Sequence, residues 1–563
     1  MHLTLYFNGH LHNLKELHAE LAIESFETEA DEVRSLILAA WRRWGQNMPE
    51  HLLGDFAIVI EDTQSGETFL TRSPLGVKPL YYCILQGKLY HAFSPAFLKK
   101  ICPKSLTPNQ DWMALYILQL SADNRKTAYH EMFKVAPAHS LVINARGDIK
   151  EWRYHHWRND APITRKRDNR WVEEYRAVLE ESIRCRMDMN APMGTENSGG
   201  IDSGTITAYL AHFLGNPGNR LHSFGFAMLD QEPALILETS QAKEIVHNYI
   251  VSAQNMDEDF EAMINYSLSI LGYPFEHGSG VFHTPFYREC QLRGIKTLFS
   301  GFGGDEGVTN SGQLLKYELL DTGRYANLWD ILPGDPIRKS LRLIKTMTVS
   351  RQSPAYRPSF LNAWNKRWPH QPLRESVVER LNLYNIFIET ARYDAPYRSI
   401  NDFIINHLVE DPFVAARHEN CTLMAESYGV DYRWPLWDVR LVQQYLSTPS
   451  IEKVGPDGIG RYLHRRAIDG VVPKQVAWKL TKDMGSPKIL GQGFFNNYQL
   501  RSIEIIQKEL DQLHPALDEL IDREKIGHQI TEALSSEKKD INFIFSFSRT
   551  VDSLNWLNQW LKC

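Results

Sequence analysis

Apolar residues recur along this chain in two different rhythms. Up to about residue 160 the runs are short and strand-like. Phe56–Ile60 and Thr68–Thr71 predict two strands divided by a turn at Asp62–Gly66, and Leu80–Leu85 with Leu89–Phe93 predict a second pair around Gly87. Leu141–Ile143 and Ile149–Trp152 predict a hairpin across Ala145–Gly147. One helix interrupts them: between Glu29 and Trp44, the residues Val33, Ile37, Leu38 and Trp41 recur at helical spacing. The polar stretch Arg158–Asn169, with Pro162 inside it, predicts a linker. After Trp171 the period lengthens. Val172–Arg186 predicts a helix, and Ile206, Tyr209, Leu210 and Phe213 give another helix an apolar face before Gly215 ends it. Ile295–Phe299 is a short strand. Short apolar runs, Gly-rich turns and helices in alternation predict a parallel α/β sheet. Beyond Leu314 the pattern is mainly helical, and residues 314–400 carry no recognised motif. The division expected is 1–160 and 170–563.

Composition narrows the function classes. The chain has 563 residues, 43% hydrophobic and 23% charged, the balance of a folded globular protein rather than a fibre or a disordered chain. A net charge of −6 without a basic run argues against a nucleic-acid binder. The six cysteines form no C-x-x-C pair, which argues against a zinc ribbon and fits a reducing cytoplasm. No apolar stretch is long enough for a membrane span, and the first residues lack the pattern of a signal peptide.

Two Gly-rich loops carry the candidate chemistry. In Ser198-Gly199-Gly200-Ile201-Asp202-Ser203-Gly204, glycines allow close backbone approach and the following helix start offers N–H groups to an anion. Asp202 beside such a site suits Mg²⁺, which prefers carboxylate together with phosphate oxygens. No G-K-S/T follows, so this is not a Walker A loop. The second loop, Ser300-Gly301-Phe302-Gly303-Gly304-Asp305-Glu306-Gly307, sets adjacent carboxylates at the end of a strand.

The first string resembles the S-G-G-I/L-D-S pyrophosphate loop of the ATP pyrophosphatases, in particular the asparagine-synthetase-like group. The second resembles that group's S-G-x-G-x-D-E. The resemblance implies nucleotide contacts from Ser198, Gly199, Gly200, Ile201, Asp202, Ser203, Gly301, Phe302 and Gly303, with Mg²⁺ held by Asp202 and Asp305. The lead-in strand of the family is usually apolar, whereas Thr195-Glu196-Asn197 is polar here. Phe302 stands where asparagine-forming members usually carry Glu and β-lactam-forming members Tyr. Further on, Ala425–Asp438, Gly460–Ala467 and Val472–Lys482 resemble the family's later motifs. They put Lys479 and Lys482 forward for anionic oxygens on the leaving pyrophosphate or the tetrahedral centre. Glu419 falls where cyclising members place a carboxylate that helps deprotonate the amine.

Earlier in the chain, Tyr6–Leu17, Gly54–Ala57 and Arg72–Tyr82 resemble the glutaminase half of asparagine synthetase. A glutaminase of this kind uses an N-terminal Cys as nucleophile. Position 2 is His2 and the first cysteine is Cys83, so the expectation is a domain that makes no ammonia.

The fold implied is α/β: a shortened glutaminase-like (Ntn) αββα sandwich, then an ATP-pyrophosphatase parallel α/β domain with a helical end. The activity implied is ATP-dependent, AMP-forming amide ligation. Within the group, the Trp478–Lys482 segment, Phe302 and the helical tail look most like the lasso-peptide cyclases, which join a peptide's N-terminal amine to an Asp or Glu side chain. The expected cofactors are ATP and Mg²⁺. The expected partners are a precursor peptide, a leader peptidase and a leader-binding protein, in the cytoplasm, with no nucleic acid and no membrane. The aromatic stretches Tyr273–Phe286 and Tyr428–Trp437 are candidates to line a peptide cavity. The alternatives are an ammonia-dependent asparagine synthetase, a β-lactam-type synthetase, and a non-catalytic nucleotide-binding scaffold.

Overall fold

The short runs of the first half build two stacked antiparallel sheets. In the computed structural model, residues 2–23, 29–120, 123–226, 232–250, 260–350, 371–390, 397–480, 503–535 and 541–562 are described. The strands are β1 (Leu3–Leu11), β2 (Gly54–Asp62), β3 (Glu67–Arg72), β4 (Tyr81–Leu85), β5 (Lys88–Ala92), β6 (Met132–Lys134), β7 (His139–Ile143) and β8 (Ile149–Arg153). They pair in the orders β1-β2-β3-β7-β8 and β5-β4-β6.

Alternation decides the layering, because successive side chains of a strand face opposite sides. Along β2, Phe56, Ile58 and Ile60 pack with Leu17, Val33, Leu36 and Ile37 from the helices Leu14–Leu21 and Glu29–Trp44. Ala57 and Val59, on its other face, meet Tyr82 and Leu141 between the two sheets. The helices Pro95–Ile101 and Gln110–Ile117 bring Leu98 and Met113 to the outer face of the smaller sheet, against Tyr81 and Cys83. The result is the helix–sheet–sheet–helix sandwich expected.

The second half holds one parallel sheet. Its strands are β9 (Met193–Glu196), β10 (Leu221–Phe226), β11 (Val246–Ile250), β12 (Thr297–Phe299) and β13 (Asp431–Arg433). Their order is β11-β10-β9-β12-β13, with every pairing parallel. The chain starts in the middle at β9, runs outward to β11, then returns to the other side of β9 with β12. Between β9 and β12 the connections diverge to opposite sides. Such a switch point leaves a crevice at the carboxyl ends of the strands, where ligands of open α/β sheets bind. Both Gly-rich loops leave the sheet there.

The polar lead-in is nevertheless the central strand. Thr195 Oγ1 lies 3.1 Å from Thr207 Oγ1. Glu196 accepts a 2.8 Å bond from Ser300 Oγ, pairs with His283 Nδ1 at 2.8 Å and accepts from the Tyr432 hydroxyl. These partners remove most of the cost of burying polar groups in the sheet. Burial alone would raise the Glu196 pKa, but His283, Tyr432 and Ser300 together lower it.

The predicted linker is pinned rather than loose. Arg158 N–H donates to Gln443 Oε1 at 3.0 Å, Asn159 Nδ2 to Asp402 Oδ1 at 2.8 Å, and Arg167 Nε to the Ile451 carbonyl at 3.1 Å. The next helix, Asn169–Arg184, begins earlier than Val172 because Asp168 caps it, accepting from Arg170 N–H at 2.9 Å. The halves meet across buried charge. Lys78 Nζ reaches Glu426 at 2.9 Å and Asp431 at 3.1 Å, while Arg186 joins Asp55 at 3.0 Å and Asp438 at 2.6 Å. Among the described residues no helix is long and apolar enough to cross a membrane.

Candidate active site

The first loop is a strand-to-helix turn. Gly199 takes φ 73°, and Gly200 caps the helix Ile201–Leu214. The positive φ costs glycine little and other residues more. The first-turn N–H groups of a helix have no partner within it, and with the helix dipole they favour an anion. The hydroxyls of Ser198 and Ser203 lie 3.1 Å apart, and Ser198 N–H donates to Ser203 Oγ at 3.1 Å. Asn197 Oδ1 accepts Gly199 N–H at 3.1 Å.

The second loop presses against the first. A Cβ on Gly301 would stand 2.5 Å from the Ser203 nitrogen, and one on Gly304 would stand 2.5 Å from Asp202 Cγ. Only glycine permits that approach. Thus two motifs far apart in sequence form one surface, with Asp202 and Asp305 on it.

A single guanidinium ties these two aspartates. Arg461 Nη1 donates to Asp202 Oδ2 at 3.0 Å, and Nη2 bonds Asp305 Oδ1. Thr309 Oγ1 donates to Asp202 Oδ1 at 2.6 Å. Arg461 sits at φ 59°, a left-handed position, at the start of the helix Tyr462–Ile468. No role was expected of Arg461 from the sequence, although it is the second residue of the Gly460–Ala467 stretch.

The aspartates fit magnesium. Their donors are hard carboxylate oxygens, and Mg²⁺ is typically bound by one or two carboxylates plus phosphate oxygens and water. Among the described residues no three His, Cys, Asp or Glu side chains are grouped to hold a metal, so phosphate oxygens would have to complete the shell. Beside them, burial raises the Glu306 pKa, although Arg417 opposes it.

Phe302 lies under Arg417, whose guanidinium carbon is 3.7 Å from the ring centroid. His418, Trp434 and Trp437 surround the same ring at 5.3, 5.7 and 6.0 Å. Burial and Arg417 push His418 down to about 3, so its imidazole is neutral at pH 7.

The remaining candidates fall in different places. Val476 packs on the first loop's helix, since a Cβ on Gly204 would come within 2.9 Å of Val476 Cγ1. Three residues on, the Lys479 carbonyl accepts from Arg465 Nη2 at 2.7 Å. Lys479 lines a 480 Å³ cavity with Glu238, Lys474, Gln475 and Trp478. Lys482 lies outside the described residues. Glu419 is 1% exposed. Its carboxylate is clamped between Arg72 Nη1 at 2.7 Å and Lys134 Nζ at 2.8 Å, both from the first half. Burial works to raise its pKa, and Lys134 and Arg72 outweigh that and lower it. This is the geometry of a fastening between the halves.

Comparison with known proteins agrees with this arrangement. Residues 174–561 match the asparagine synthase family, and residues 1–155 match the glutamine amidotransferase domain. The chain belongs to the asparagine synthase family. It is 26% identical to a putative glutamine-hydrolysing asparagine synthetase 2 of Methanocaldococcus jannaschii, over 69% of this chain and 74% of that one. It is 27% identical to glutamine-hydrolysing asparagine synthetase 1 of Bacillus subtilis, over 39% and 34%. It is 26% identical to the amidase chry2 of Gibberella zeae, over 53% and 46%. The last two matches span less than half of those relatives' length.

Proposed function

We propose that this family member is an ATP-dependent amide ligase that releases AMP and pyrophosphate, and that its product is a macrolactam. The observation that carries this reading is the contact of the two Gly-rich loops, with Asp202 and Asp305 facing one space at the switch point. The helix start at Gly200–Ser203 would take the β- and γ-phosphates of ATP. A substrate carboxylate attacks the α-phosphorus, the bond to the β-phosphate breaks, and pyrophosphate leaves. Bound Mg²⁺ would neutralise charge on the departing pyrophosphate. Arg461, released from the aspartates, is placed to turn to the same oxygens. A peptide amine then attacks the acyl carbon, loses a proton, and expels AMP.

The cyclase reading rests on Phe302, an aromatic ring where asparagine-forming members usually carry Glu, and on the aromatic residues around it. On this reading a precursor peptide is the substrate, delivered by a leader-binding protein and a leader peptidase. ATP–pyrophosphate exchange tests it. Exchange should need Mg²⁺ and a peptide with an Asp or Glu side chain. Exchange supported by aspartate alone would sink the cyclase in favour of an asparagine-forming ligase. No exchange with any carboxylate would sink the ligase.

A further inference from the structure

Phe302 has no acid, base or nucleophile to offer, yet it sits at the centre of an unsatisfied set of polar groups. Arg417 Nε and the indole nitrogens of Trp434 and Trp437 are buried without a hydrogen-bond partner, while the His418 ring turns to the Val414 carbonyl and the Arg417 guanidinium also touches Cys421. The side chains of His418, Trp434 and Trp437 are fully buried. Leaving such a group unpaired is costly, and native proteins keep only a few per hundred residues. Here three such nitrogens belong to side chains packed around one ring. Arg417 adds a positive charge with no carboxylate among the described residues at ion-pair distance. Glu306 feels its field without pairing to it.

The place is as telling as the charge. Phe302 follows Gly301, which lies against Ser203 of the phosphate loop. It precedes Gly303, where a Cβ would meet the Trp437 ring at 2.7 Å. The cluster is therefore continuous with the phosphate site, one residue from it. A ligand that satisfies a guanidinium and neutral N–H donors beside a bound triphosphate is an anion that must approach phosphorus. A carboxylate meets that description.

We propose that Arg417, seated on Phe302, receives the carboxylate that is to be adenylated. Phe302 holds the guanidinium by a cation–π contact, and the buried rings of His418, Trp434 and Trp437 keep its surroundings dry. This rests on the ligase reading and adds the residue that selects the acyl substrate. It also gives Phe302 a task. A planar guanidinium suits a carboxylate through two parallel bonds. Once the carboxylate has become an acyl-adenylate its charge is gone, so Arg417 no longer holds it as an ion and the acyl carbon is left open to the amine.

The test uses the full-length protein with Mg²⁺ and a non-hydrolysable ATP analogue, α,β-methylene-ATP. Calorimetry measures binding of N-acetyl-aspartic acid α-amide, a stand-in for a peptide's Asp side chain, and of its uncharged isostere N-acetyl-asparagine α-amide. The wild type should bind the acid and discriminate against the isostere. Arg417→Gln should lose the acid at least tenfold while its affinity for the analogue stays within about twofold. Arg417→Lys, which keeps the charge but not the fork, should fall between them. Equal binding of the acid by Arg417→Gln and the wild type overturns the proposal. So does absence of discrimination in the wild type, or a loss in Arg417→Gln that falls on the nucleotide instead. Failure of the wild type to bind the analogue at all strikes the ligase reading itself and takes this inference with it.

Discussion

Glu419 and Asp202 are both carboxylates held by arginine, in two regions that treat charge differently. Around Glu419 the charges are shut in: side-chain exposure is 2% for Glu419, 0% for Arg72 and 4% for Lys134. Around Asp202 they stay within reach of solvent: 15% for Asp202, 35% for Asp305 and 14% for Arg461. A sealed ion pair has already met its desolvation cost and has no room to change partners, so it ties surfaces together. A half-open pair can give up its cation when a better one arrives. The first cluster joins the two halves of the chain. The second has the geometry of a site that waits for a ligand.

The same chemical change applied to both regions separates them. The largest effect belongs to the open site. Asp202→Asn or Asp305→Asn should lower ATP–pyrophosphate exchange by about 10³-fold, or about 4 kcal/mol of transition-state stabilisation. The denaturant midpoint should barely move, because Arg461 can still donate to the amide oxygen in either variant. Wild-type rates in either variant would remove that aspartate from the metal site.

In the sealed cluster the order is reversed. Glu419→Gln leaves Arg72 without its buried counter-ion and Lys134 with Glu276 alone, and should cost about 3 kcal/mol of stability. Equilibrium denaturation reads it directly. A normal midpoint and normal exchange together with lost amide formation would return Glu419 to the role of base for the amine that its sequence position suggested.

Acid should also weaken the join between the halves. Asp55 is buried, which would raise its pKa, but Arg186 and His12 bring it down from 3.8 to about 2. A carboxyl whose pKa is lower folded than unfolded stabilises the fold above its unfolded pKa. That contribution fades as pH falls through the folded value. Asp55 should therefore contribute about 2 kcal/mol at pH 7, lost between about pH 5 and pH 2. The measurement is unfolding free energy against pH for the wild type and Asp55→Asn. The two curves should converge as pH falls through that window, and parallel curves would show that Arg186 does not hold Asp55 ionised.

How much of this was legible in sequence follows from the range of each signal. Periodicity is local, so the helix Glu29–Trp44 and the hairpin strands were readable from their own residues. The two loops were readable because each is a continuous string. Their contact through Gly301 and Gly304 was not, since nothing in either string specifies the distance to the other. The polar strand β9 resisted reading because Glu196 is satisfied by Ser300, His283 and Tyr432, none of them its neighbour in sequence. Arg417 and Arg461 were invisible for the same reason. An isolated arginine in a sequence is most often a solvated one, and only the fold shows one stacked on Phe302 and the other between two aspartates. The pinned linker at Arg158–Asn169 belongs to the same class: its polarity was plain, but its partners Gln443, Asp402 and Ile451 were hundreds of residues away.

The smallest expected effect tests the edge of the open site. Lys479 borders the 480 Å³ cavity beside the phosphate-loop helix, and its backbone is fixed by Arg465. Val476, three residues before it, packs on that helix at Gly204, and a cation on this segment favours an anion near the loop by charge. Lys479→Ala should raise the KM for ATP about fivefold, near 1 kcal/mol, and leave kcat within about twofold. That split is what separates a residue that draws in the nucleotide from one that stabilises the transition state. Turnover slowed by about a hundredfold or more, with KM unchanged, would place Lys479 among the groups that meet developing charge. The open site would then extend to the segment that carries Lys479.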